Sequence, residues 1–186
     1  MTLAKAKKAA RSAAFARRKA AHSAHAAAAS EALNAHLSET RGRIVGGYLP
    51  IRTEANPLPA LEMLARHNRI AMPIVSGAGL PLLFREWWPG CRLEAGTFDV
   101  MVPVEGADLV PDLIIAPLVA FDRKLYRLGY GGGFYDRTLE RLRACGQVEA
   151  LGFAYEAQGT DALPLEPTDQ PLDGLVTELG MRLCED

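Results

Sequence analysis

Little of this 186-residue chain is cysteine: Cys91, Cys145 and Cys184 lie 54 and 39 residues apart. That spacing fits neither a paired disulfide framework nor a CxxC zinc site, so the three read as free thiols in a reducing, cytoplasmic setting. Long apolar runs are also missing. The longest, Leu113 to Phe121, has nine residues and contains Pro117, against the ~18 to 20 needed to cross a bilayer, so no membrane partner is expected. Neither charge sign is in excess: 21 Lys and Arg face 22 Asp and Glu, for a net charge of −1. With 49% hydrophobic and 23% charged residues, the composition argues against bulk disorder, collagen and a wholly basic nucleic-acid binder. At ~100 to 200 residues per domain, residues 1–186 are expected to form one domain, here a monomer.

One absence is local. Residues 1–30 contain no acid but seven bases, Lys5, Lys7, Lys8, Arg11, Arg17, Arg18 and Lys19, so the remainder carries 14 bases against 22 acids, a balance of −8. Residues 3–38 also lack Gly and Pro and are dense in Ala, Lys, Arg, Glu and Leu, which predicts a helical arm over 1–38 with possible breaks at Ser23 or Ser30. Three readings of the arm are open: a solvated helix, an organellar transit peptide, or a phosphate clamp. Lys7, Arg11 and Arg18 fall within about 40° of one another around a helix, making one basic stripe. Phe15, one turn beyond Arg11, is placed to pin that stripe to an acidic body.

Beyond the arm, apolar runs alternate with helical segments. Strands are predicted within Arg43–Pro50, Arg69–Val75, Leu80–Glu86, Arg92–Glu94, Asp112–Pro117, Glu149–Tyr155 and Gly174–Thr177, and helices over Pro57–His67 and Phe134–Cys145. The fold class is therefore α/β: a three-layer sandwich around a mostly parallel sheet, with the N-terminal helical arm added. Trp87 and Trp88 next to Pro89 mark a turn with packing roles.

The segment that runs from the strand Asp112-Leu-Ile-Ile-Ala-Pro117 through a loop into a helix carries the chemistry. The strand runs into a loop with Gly129, Gly131, Gly132 and Gly133, and the loop feeds a helix that begins Phe134-Tyr135-Asp136. Glycines admit positive φ and close backbone approach, so successive N–H groups can line one concavity at a helix N-terminus. The alternative is a plain tight connection. The loop lacks the Lys-Ser or Lys-Thr that closes a P-loop motif, and Phe134 stands where a dinucleotide fingerprint needs glycine. Arg127 at the lip, the arm's basic stripe and Asp136, a carboxylate suited to Mg²⁺, favour the cradle.

The string Phe121-Asp122, then Arg127-Leu-Gly-Tyr-Gly-Gly-Gly-Phe-Tyr-Asp136, resembles the signature of the 5-formyltetrahydrofolate cyclo-ligase family, also called 5,10-methenyltetrahydrofolate synthetases. Lys7 and Arg11 resemble its N-terminal Lys-x-x-x-Arg pair, Tyr48 to Glu54 its substrate loop, Gly96 to Pro103 its central motif, and Leu172-Asp173 a late acidic position. The resemblance implies ATP- and Mg²⁺-dependent cyclisation of 5-formyltetrahydrofolate, through phosphorylation of the formyl oxygen. It implies that Lys7, Arg11, Arg127 and Tyr135 act in catalysis. ATP would lie against Lys7, Arg11, Arg127, Leu128, Gly129, Tyr130, Gly131, Gly132, Gly133, Phe134 and Tyr135. Folate would lie against Tyr48, Ile51, Glu54, Asn56, Phe98 and Tyr130, and Mg²⁺ would bind Asp136 and Asp173. The pattern departs at Asn56, often a carboxylate in relatives, at Phe98, Trp in some, and at Gly132, Lys in some.

Competing classes are a non-catalytic nucleotide or phosphometabolite sensor, a paralogous ATP-dependent enzyme on another N-formyl or thiamin-like substrate, and an RNA binder working through the arm. The arm's one aromatic, Phe15, weighs against RNA. His22 and His25 lack a third metal ligand nearby, Cys145 is expected as a buried thiol, and Asp99 as a solvated strand residue.

Overall fold

A computed structural model describes residues 2–184. The elements are α1 (Leu3–Leu37), β1 (Ile44–Gly46), α2 (Leu58–Leu64), β2 (Arg69–Ile74), β3 (Leu83–Trp87), β4 (Leu93–Ala95), β5 (Met101–Pro103), β6 (Asp108–Leu109), β7 (Leu113–Pro117), β8 (Ala120–Phe121), β9 (Arg127–Leu128), α3 (Phe134–Cys145), β10 (Glu149–Phe153), β11 (Gly174–Thr177) and β12 (Gly180–Arg182). Eight strands form one sheet in the order β12-β11-β10-β7-β1-β2-β3-β6. Its centre, β11 to β2, is parallel, and β12, β3 and β6 add antiparallel edges.

Side chains alternate across the sheet because a strand has a period of two. Leu113 and Ile115 of β7, with Leu151 and Phe153 of β10, face a core that takes in Ala29, Leu33 and Leu37 of α1 and Ala60, Leu61 and Leu64 of α2. Ile114 and Ala116, with Ala150 and Leu175, face Leu139 of α3 on the other side. That is the three-layer α/β sandwich, and it explains the unbroken apolar spelling of β7, which is covered on both faces.

The arm is one helix of 35 residues without interruption. Neither serine breaks it, for local reasons. The Ser23 hydroxyl donates back to the Lys19 carbonyl within the helix, and Ser30 Oγ donates 2.9 Å to the Asn56 carbonyl, holding α1 to the loop before α2. Two other expectations are corrected. Cys145, the last residue of α3, is exposed, because the helix end clears the sheet. Asp99 lies in a 3₁₀ turn, Thr97–Asp99, not a strand. Among the described residues no helix is long and apolar enough to cross a membrane.

The strand order reverses between β1 and β7: the chain leaves β1 for β2 on one side and returns to β7 on the other. In an open parallel sheet such a switch point leaves a crevice beyond the carboxyl ends of the strands, where loops diverge to both faces.

Candidate active site

A cleft of about 670 Å³ opens at that switch point. Tyr48 and Leu49 after β1, Ile74 at the end of β2, Val75 just after it and Pro117 at the end of β7 form its base; the β4–β5 hairpin supplies Gly96, Phe98 and Met101. The glycine loop and the start of α1 close it, with Lys7, Arg11, Arg127 and Gly129 to Asp136 in the wall.

The loop's shape follows from its residues. Gly131 and Gly133 have φ of +108° and +65°, the left-handed region where a Cβ is strained. A Cβ on Gly132 would come 2.5 Å from the Phe134 ring, and one on Gly131 would meet the Arg11 guanidinium at 3.3 Å. Arg11 Nε donates 2.8 Å to the Gly129 carbonyl. The arm thus lies directly against the loop.

Arg127 is buried. Its Nη1 donates 2.7 Å to the Gln170 carbonyl, and its Nη2 donates 3.0 Å to Asp136 Oδ1. Burial lowers its pKa, yet an arginine so paired remains a cation. Lys7 Nζ reaches Glu166 and Asp169, each at 2.8 Å. Burial alone would depress the ammonium's pKa, but hydrogen bonds to Asp169 and Glu166 outweigh it and hold it above its usual value.

On the facing wall, Glu54 Oε2 accepts from the Ile51 N–H at 2.9 Å. Burial raises the Glu54 pKa, against the pull of the Ile51 N–H, the Tyr130 hydroxyl and the Arg18 charge. The Tyr135 hydroxyl is buried without a hydrogen-bond partner; burial, and secondly Glu54, push its pKa up. A buried hydroxyl left unpaired beside a cleft has a donor available to a ligand atom or an ordered water.

Residues 4–178 match the model of the 5-formyltetrahydrofolate cyclo-ligase family. The chain belongs to that family. It is 36% identical over 141 residues to the 5-formyltetrahydrofolate cyclo-ligase of Escherichia coli K12, covering 72% of this chain and 76% of that one. With the Mycolicibacterium smegmatis cyclo-ligase it shares 33% over 158 residues, 79% of this chain and 80% of the relative. Among solved structures, the Aquifex aeolicus 5,10-methenyltetrahydrofolate synthetase superposes with a TM-score of 0.76 at 28% identity, over 100% of this chain and 94% of that one. The Mycoplasma pneumoniae 5,10-methenyltetrahydrofolate synthetase gives 0.71 at 25%, over 92% and 98%.

Within this cyclo-ligase fold, most of the residues singled out from sequence meet in the cleft: Lys7, Arg11, Tyr48, Ile51, Glu54, Phe98, and Arg127 through Asp136. Tyr48 contributes its ring, since its hydroxyl donates 2.6 Å to the Ala55 carbonyl. Phe98 stands at the rim, 72% exposed, with φ of +61° and its ring 6.2 Å from that of Phe134. Two residues are elsewhere. Asn56 does not line the cleft; its Oδ1 accepts from the Leu58 N–H at 3.1 Å and caps the start of α2.

Asp173 lies at the opposite, amino-terminal edge of the sheet, with Arg43, Asp112 and Glu149. Its carboxylate accepts from the Ala150 N–H at 2.7 Å and from Arg143 at 3.0 Å, so its charge is taken up in joining β10 to α3. Glu166 and Asp169, which sequence reasoning missed, do line the cleft. Asp173→Asn should therefore lower stability by about 1 kcal/mol through a weakened charge-assisted hydrogen bond, while turnover stays within about twofold of wild type. Urea unfolding beside a rate assay measures both; a lost Mg²⁺ response would return Asp173 to the metal.

Among the described residues no cluster of three or more His, Cys, Asp or Glu is placed to hold a metal ion, His22 and His25 included. His22 Nδ1 instead pairs with the Tyr155 hydroxyl at 3.0 Å. Mg²⁺, however, takes one or two carboxylates and completes its shell with phosphate oxygens and water. Asp136 and Asp169 fit that requirement.

Proposed function

We propose that this chain, as one catalytic domain, cyclises 5-formyltetrahydrofolate to 5,10-methenyltetrahydrofolate with consumption of ATP. The observation that carries the reading is the contact between arm and loop: Arg11 against Gly129 and Gly131, with Lys7 and Arg127 in the same cleft. Backbone N–H groups at a helix start and cations from a second element then surround one triphosphate.

The chemical obstacle is an amide oxygen that leaves poorly. Transfer of the γ-phosphoryl group from ATP to the formyl oxygen releases ADP and makes that oxygen a leaving group; N10 attacks the formyl carbon and gives up its proton to solvent, and the C–O bond breaks as phosphate departs, closing the ring. Such a transfer asks the protein for alignment and positive charge. Arg127 and Arg11 supply planar guanidinium cations at the loop, and Lys7 supplies a compact point charge. The Tyr135 hydroxyl, without a partner among the described residues, would donate to the oxygen that accepts the phosphoryl group. Glu54, Tyr48, Ile51 and Phe98 form the folate wall. Mg²⁺, held by Asp136 and Asp169, would offset charge on the β- and γ-phosphates.

The test is to mix protein, 5-formyltetrahydrofolate and MgATP and follow the absorbance of the methenyl product. Product should accumulate, and excess chelator should abolish it, because the donor set leaves the phosphate charge under-neutralised without the metal. Bound ATP with no product would instead mark a nucleotide sensor or an enzyme of another N-formyl compound.

A further inference from the structure

Arg18 is among the largest fully buried side chains, at 1% exposure, and it is not part of the cleft wall. It stands behind that wall, where two loops meet. Its Nη2 donates 2.9 Å to the Tyr130 hydroxyl in the glycine loop. Its Nε donates 3.2 Å to Thr53 Oγ1 in the loop after β1. Nη1 lies 3.9 Å from Glu54 Oε1 and makes no hydrogen bond. The guanidinium also sits over the rings of Phe15 and Tyr130, 5.2 and 5.6 Å from their centroids.

Burying a guanidinium is costly unless every donor is met, and a packing role alone would be filled better by an apolar side chain of similar volume. Here Nη1 is left without a hydrogen bond among the described residues, and the donors that are used go to two separate walls of the active site. We propose that Arg18 is a positioning residue that couples the two halves of the ternary complex, ordering Tyr130 of the nucleotide loop and Glu54 of the folate loop together, so that each ligand strengthens binding of the other. The planar fork is what permits this, since it directs donors along fixed, divergent lines. A ligand that draws Tyr130 or Glu54 into its productive position fixes the guanidinium. The second ligand then meets a loop already ordered, and the ordering cost is met once.

The inference rests on the functional reading above, and the experiment separates the two. Titration calorimetry gives the Kd of 5-formyltetrahydrofolate with and without a non-hydrolysable ATP analogue and Mg²⁺. In the wild-type protein the analogue should lower that Kd about fivefold or more. In Arg18→Met the ratio should fall to within about twofold of one. Tyr130→Phe, which removes only the hydroxyl at a residue 42% exposed, should do the same and serves where Arg18→Met does not fold. A role in packing alone would shift both Kd values without changing their ratio. A ratio of wild-type size in either folded variant, or a wild-type ratio of one, overturns the inference. Failure of the wild-type protein to bind either ligand removes the functional reading, and this coupling with it.

Discussion

Replacing Arg127 with alanine should lower kcat by about 10³-fold or more, the range over which a single arginine acts on a transferring phosphoryl group. The Arg127 side chain is 3% exposed, so water cannot take over its charge. It also joins three parts of the site: β9, the Gln170 carbonyl and Asp136. Its loss leaves Asp136 with the Gln170 N–H, at 3.0 Å, as its remaining partner among the described residues, a carboxylate without its cation in the cleft wall. The cost in stability should be about 3 kcal/mol, as for one member of a buried pair, which a domain of this size tolerates. Arg127→Lys should recover little, because one ammonium cannot meet two acceptors set apart by the guanidinium's width. Stopped-flow single-turnover rates beside circular dichroism measure both effects. A folded Arg127→Ala with wild-type kcat would remove the arginine from the site.

Lys7→Ala should raise the KM for ATP about 100-fold, equivalent to about 2.7 kcal/mol. The reason extends beyond one lost phosphate contact. Lys7 holds Glu166 and Asp169, each 2.8 Å away, and with the ammonium gone both acid charges bear on an anionic ligand, that of Asp169 offset only where Mg²⁺ is bound. Adding Glu166→Gln to Lys7→Ala should then regain part of the affinity, since it removes one of those charges without touching the glycine loop. ATP titration of the single and double variants decides this. If the second substitution weakens binding further, Lys7 acts on the phosphates alone.

How far the sequence foretold this depended on length and period. Helix α3, Phe134–Cys145, and strand β11, Gly174–Thr177, match the predicted bounds, because glycines mark their starts and their patterns are unambiguous. Strands β8 and β9, two residues each, and β12, three, were not anticipated: so short a run has no period to read. The glycine loop was legible because positive φ and close approach restrict residue choice. The carboxylate assignment was not. Asp169 and Asp173 are four residues apart in a segment without helical or strand pattern, and only the path of the chain from the cleft to the amino end of β11 separates them. Asn56 shows the same limit, since a capping side chain and a ligand contact have the same spelling.

The long first helix has a consequence for how the enzyme is made. Lys7 meets acids 159 and 162 residues further on, and Arg11 meets a carbonyl 118 residues away. At usual translation rates the ribosome needs on the order of 10 to 30 s to add the residues between Lys7 and Asp169. Throughout that time Lys7 and Arg11 wait for partners translated much later, so a nascent polypeptide has neither contact until Gly129, and then Glu166 and Asp169, have emerged.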